Sequence, residues 1–214
     1  MFRHKLQNTQ KLRMGIGVPC TLEISAGTGR PEIRITASPA DMQQMDFIIN
    51  ENGKKETIVE IRSDQGGKKN LNCDISVYLP ESPLEHLWID TVCGKVNLGR
   101  LKVRKLDVSN VQGKYRMDSA SQAKHFRLSM VNCESEIHLA DTVETGKIKA
   151  VQSKTRLRAG SVSGIFDIHA VGSDTRINDI AIRNGHICKG REGENRKISC
   201  EIVSGSFFVE GIED

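Results

Sequence analysis

Valine recurs at Val92, Val111, Val131, Val151, Val171 and Val203, at spacings of 19, 20, 20, 20 and 32 residues. A small residue follows two positions after each one: Gly94, Gly113, Cys133, Ser153, Ser173 and Gly205. A period near 20 marks stacked repeats, in which a unit buries its apolar face only against its neighbours. That constraint outweighs any local propensity, and it leaves few residues over for chemistry.

Aligned on the valine, six segments begin at Leu87, Leu106, Phe126, Gly146, Phe166 and Ile198. Two residues in stand Ile89, Val108, Leu128, Ile148, Ile168 and Cys200. After the small residue come Val96, Tyr115, Ser135, Thr155, Thr175 and Phe207, then Leu98, Met117, Ile137, Leu157, Ile177 and Val209. Apolar positions alternate within each half, which is strand periodicity. The parity shifts between the second slot and the valine, so a corner is expected there. The six valines are then expected to form an inward core ladder on the longer strand. A third short side would turn Leu101, Ala120, Ala140, Gly160 and Ile180 inward.

The expected fold is all-β: a single-stranded parallel, right-handed β-helix or solenoid whose coils of about 20 residues stack at the ~4.8 Å strand spacing. Aromatics are only 4% of the chain and hydrophobic residues 37%, which suits a narrow aliphatic interior. Residues 1–86 alternate without the clean period and are expected to be an irregular β segment capping the column. Residues 87–214 hold the regular coils, and the whole is expected to be one continuous domain. The last spacing exceeds a coil by about 12 residues, assigned to a loop at 183–197, RNGHICKGREGENRK.

The stretch ISVYLPESPLEHLWIDTVCGKVNLGRLKVRKLDVSNVQGKYRM carries a strand ending in proline, then L-x-I-x-x-V-x-G-x-V-x-L, then L-x-V-x-x-V-x-G-x-x-x-M. It resembles the bacterial and eukaryotic "putative adhesin" β-helix family, over roughly residues 15–210. Cys133, Ser153 and Ser173 depart from the family's glycine but stay small. The resemblance implies an adhesin-type β-helix with no established catalytic residues.

Charge and cysteine usage bound the partners. Lys and Arg number 31 against 27 Asp and Glu, too balanced to argue for nucleic acid. No apolar stretch approaches the ~20 residues of a membrane span. The first residues hold no apolar core of a secretory signal, so secretion is not expected. The six cysteines form no C-x-x-C pair and are expected to be reduced thiols of the cytoplasm. A basic start (Arg3, Lys5, Lys11, Arg13) leaves the mitochondrion as an alternative.

Outward ladders read Lys95, Lys114, Glu134, Lys154, Asp174; Arg116, Glu136, Arg156, Arg176; and Asp107, Arg127, Lys147, Asp167. Opposite charges on adjacent coils would be structural pairing. His125, His138, His169 and His186 fall in different slots and are expected to be surface residues. No catalytic residue, metal site or cofactor is expected. The candidate interaction loop carries Arg183, His186, Cys188, Lys189 and Arg191. Lys189 and Arg191 would favour a Cys188 thiolate, but His186 and Cys188 alone are too few for a structural zinc. The expected function is a non-enzymatic interaction or scaffold module with a protein partner, with self-association through the column ends. The alternatives are a carbohydrate-binding or carbohydrate-active β-helix, or a cytoskeleton-regulatory one.

Overall fold

The computed structural model describes residues 1–27, 29–53, 55–63, 71–118, 120–160, 164–178, 180–182, 184–189 and 196–211. Strands β1 (Phe2–Lys5), β2 (Lys11–Ile16), β3 (Cys20–Ala26) and β4 (Glu32–Thr36) precede one helical turn, α1 (Pro39–Met42). Ser38 Oγ caps that turn by accepting the Asp41 N–H. Next come β5 (Met45–Asn52), β6 (Glu56–Ser63) and β7 (Cys73–Leu79). The periodic part holds β8 (Leu84–Thr91), β9 (Gly94–Leu98), β10 (Leu101–Asn110), β11 (Gly113–Met117), β12 (Ser121–Val131) and β13 (Cys133–His138). It continues with β14 (Thr145–Arg158), β15 (Ile165–Ile177), β16 (Ile180–Ile182), β17 (Gly185–Lys189) and β18 (Lys197–Glu210).

These strands join one large, mostly parallel sheet that is not closed. They pair in two rows. The first row runs β6, β2, β8, β10 and β12, then the N-terminal halves of β14, β18 and β15. The second runs β7, β3, β9, β11 and β13, then the C-terminal halves of the same three strands. Leu87, Leu106, Phe126 and Gly146 are lateral partners in turn, the register that the valine alignment implies.

The order of the rows departs from the order of the chain at both ends. β18 stands between β14 and β15, so Ile198 faces Gly146 on one side and Phe166 on the other. Likewise β2 and β3 stand between the β6–β7 pair and the β8–β9 pair. The sheet therefore runs straight across the expected boundary at residue 86. Leu12, Met14, Ile16, Leu22 and Ile24 are at most 2% exposed and belong to the same core cluster as Leu87 and Ile148. Antiparallel strands cover the flanks: β5 lies on β6, β4 on β7 and β1 on β4 at one end, β16 and β17 on β15 at the other.

The valines do not point into this core. Val92, Val111, Val171 and Val203 are 56%, 45%, 61% and 44% exposed. Val131 and Val151 are half-buried. Inward parity instead continues to the preceding residue: Thr91, Asn110, Met130, Ala150, Ala170 and Ile202 are all buried. The corner comes after the valine, where Asn132, Gln152, Gly172 and Ser204 take φ of 53°, 49°, 58° and 56°. A left-handed residue reverses which face the next side chain takes, so the parity shift falls one step later than the alternation suggests.

The first two regular corners solve the same problem differently, with φ of 142° at Gly94 and 136° at Gly113. A β-carbon at Gly113 would collide with the Gly94 backbone, so only glycine fits. At Gly205, itself at φ 101°, the Ser153 backbone again excludes a β-carbon, but after the left-handed Asn132, Gln152 and Gly172 the small slot carries a side chain. Ser153 Oγ then donates to the Val151 carbonyl at 2.9 Å and accepts the Cys133 N–H at 3.1 Å. This accounts for the change from glycine to cysteine and serine along the array. Of the expected third side, Leu101 is buried, whereas Ala120, Gly160 and Ile180 are exposed and Ala140 is half-buried.

Candidate functional site

The outward faces carry the charge. Register places Lys95, Lys114, Glu134 and Lys154 side by side, and Lys114 Nζ lies 3.0 Å from Glu134. The inserted β18 supplies carboxylates that chain order would not have brought there. Glu201 lies 2.7 Å from both Lys147 and Lys149, and Glu210 reaches Arg156 and Arg158 at 3.4 Å each. Those two lysines hold the Glu201 carboxyl down at about 2. A shallow groove of about 580 Å³ over the second row mixes Lys95, Lys114, Arg116, Lys154 and Arg156 with Asp118, Glu134 and Glu136.

Among the described residues, two histidines and a carboxylate converge at the β15 end of the first row. β17 runs antiparallel on β15, setting His186 opposite His169 and Cys188 opposite Asp167. Alternation puts Asp167 and His169 on one face of β15, and His186 and Cys188 on the matching face of β17. His186 Nε2 lies 2.6 Å from Asp167 Oδ1, and His169 Nε2 lies 3.2 Å from the same oxygen. The imidazoles stack with centroids 4.1 Å apart and planes within 15°. From the other side, Lys197 Nζ of β18 lies 3.2 Å from Asp167 Oδ2. The hydrogen bond from His186, with Lys197 beside it, holds the Asp167 carboxyl below the usual carboxylate range. Asp167 is the sheltered member of the three, while both histidines are exposed.

Of the expected interaction loop, the structure brings His186 into this cluster and leaves Cys188 exposed beside it. Lys189 pairs with Phe166 in the ladder. Arg183 and Arg191 lie outside the described residues, as do residues 190–195 of the loop. The partners of His186 come from β15 rather than from its own segment, a contact that slot-by-slot reading of the repeat misses. A signal was present in Asp167-Ile168-His169 and His186-Ile187-Cys188, two polar–Ile–polar triplets whose strand spacing puts each polar pair on one face.

The other histidines have local partners. His125 Nδ1 lies 2.9 Å from Thr145 Oγ1, and His138 Nε2 lies 3.2 Å from Glu136. His86 is half-buried, stacks on Trp88 and bonds Asp107 at 2.6 Å. Burial lowers its pKa against the opposing pull of Asp107. All six cysteines are free, and Cys20 lies opposite Cys73 in register. Burial, then the neighbouring thiols and Asp74, push Cys20 up to about 12; burial and nearby carboxylates push Cys73 up to about 11. Both therefore stay protonated and unreactive at neutral pH.

No family model matches the chain, and no curated protein matches it in sequence. Among solved structures it is similar to a putative cell adhesion protein from Clostridium sporogenes ATCC 15579, at 13% identity and a TM-score of 0.52, covering 97% of each chain. It is also similar to a putative adhesin from Bacteroides fragilis NCTC 9343, at 14% identity and a TM-score of 0.49, covering 97% of this chain and 95% of that one. The resemblance expected from the proline-terminated lead-in and the valine–glycine repeats is shown at the level of the fold, which is similar to that of the putative cell adhesion protein.

Proposed function

We propose that the two-row parallel sheet is wound as a single-stranded β-helix, and that the protein works as a non-enzymatic interaction or scaffold module. The period near 20 and the lateral register of Leu87, Leu106, Phe126 and Gly146 support the β-helix. The observation that carries the function is the outward valine ridge. In spatial order it reads Val92, Val111, Val131, Val151, Val203, Val171, and the last four of these are register partners. At the ~4.8 Å strand spacing this apolar stripe is roughly 25 Å long. Core packing does not account for it, and contiguous exposed apolar surface marks contact sites for other proteins. Free cysteines suit a reducing compartment, so the proposed place of action is the cytoplasm, with the mitochondrion as the alternative.

The test is affinity capture from the native cell with the wild-type chain and with a variant carrying Val92→Ser, Val111→Ser, Val171→Ser and Val203→Ser. Loss of the captured partners in the folded variant supports the proposal. A partner set that survives this variant, and also survives charge reversal along the outward ladders, overturns it.

A further inference from the structure

We propose that Asp167, His169 and His186 form a binding site for a divalent transition-metal ion of the zinc type, which pins β17 to β15. The proposal is independent of the valine ridge and of any partner.

Donor chemistry comes first. Two imidazole nitrogens and one carboxylate oxygen are the set zinc takes when it keeps one position open, and imidazole disfavours calcium and magnesium. Geometry agrees. The three donor atoms lie within 4.8 Å of one another, and both Nε2 atoms already meet on Asp167 Oδ1. Tetrahedral ligands about 2.0–2.1 Å from zinc stand roughly 3.4 Å apart. The His169–Asp167 separation of 3.2 Å is close to that, and the His186–Asp167 separation of 2.6 Å must open by less than the length of a bond.

The support is a paired ladder. Asp167 and His169 share one face of β15, and His186 is held opposite His169 by a ladder running from Phe166–Lys189 to Ala170–Gly185. Lys197 engages the other carboxylate oxygen, Oδ2, and so orients Oδ1 toward the imidazoles without occupying it. In the absence of an ion His186 Nε2 hydrogen-bonds Asp167 Oδ1 and His169 Nε2 lies in ion-pair range of the same oxygen, contacts that a cation would replace. A charged Lys197 nearby weakens attraction for a cation, so moderate affinity is expected.

The experiment uses the full chain, stripped of metal with EDTA and then dialysed into chelator-free buffer with a non-chelating reductant, and titrates zinc chloride by calorimetry. Cobalt(II) serves as a spectroscopic probe of the same site. A single ion should bind per chain. His169→Gln and His186→Gln should each weaken binding roughly tenfold or more, since even outer-shell changes cost that much, and together they should abolish it. Zinc should slow hydrogen exchange at the amides of residues 185–189 in the wild type but not in the double histidine variant. His138→Gln, on another face, and Cys188→Ser should bind as the wild type does. No binding by the wild type overturns the proposal. So does zinc binding that persists in the double histidine variant or is lost with Cys188→Ser alone, because either would place the ion on thiols elsewhere.

Discussion

The ring of Phe126 fills the space that a β-carbon on its lateral neighbour Gly146 would need. The two occupy the same slot of successive repeats, so at this point the largest side chain of the slot lies against its missing one. Gly146→Val should destabilise by about 1–3 kcal/mol through overpacking. Phe126→Ala should cost about 3–5 kcal/mol through the cavity it leaves. Because they share one space, the double variant should lose less than the sum of the two, measured by chemical denaturation of the wild type and the three variants.

The valine ridge should be energetically light. Val92→Thr or Val171→Thr should change stability by no more than about 0.5 kcal/mol, as expected of exposed positions. Its inward neighbours should behave oppositely. Ile202→Ala or Met130→Ala should cost about 2–5 kcal/mol, because both side chains are at most 1% exposed. Equal losses at the two sets, read from urea midpoints, would contradict the outward placement.

β18 should be indispensable although it comes last in the sheet's chain order. Truncation before Lys197 strips β14 and β15 of their shared neighbour and opens the core at Ile198, Cys200 and Ile202. The expected outcome is loss of the cooperative unfolding transition, followed by circular dichroism. A column stacked in simple chain order would merely be shortened.

His86 should act as an internal pH reporter. Burial holds its pKa below the ordinary 6.5, so the unfolded chain takes up the proton more readily than the folded one. Its contribution to stability is therefore complete above pH 6.5 and is lost as pH falls through the lower folded value. The chain's single tryptophan, Trp88, stacks on the His86 ring, so its fluorescence should titrate with a midpoint below 6.5. His86→Gln should remove that transition.

Thiol reagents should report the burial order. Cys188 is exposed and Cys93 half-buried, whereas Cys20, Cys73, Cys133 and Cys200 are buried. Cys188 should be labelled first in the native protein, with the four buried thiols reacting only after denaturation, as counted by mass spectrometry.

Periodicity alone determined the strands, their repeat of about 20 residues and the lateral register from Leu87 to Gly146. Such pairing is local arithmetic: a strand one repeat away meets its neighbour wherever the same slots recur. Three things were decided only by the tertiary structure. The facing of the valines depends on the sign of φ at Asn132, Gln152, Gly172 and Ser204, and alternation on either side of a corner carries no information about that sign. The insertion of β18 between β14 and β15 depends on long-range competition, because Ile198 and Cys200 fit beside either neighbour equally well by type. The meeting of His169 and His186 depends on β17 folding back antiparallel onto an exposed edge, a pairing outside the repeat. A repeating alternation specifies which positions stack, but the hand of each corner and the competition among like strands specify what faces out.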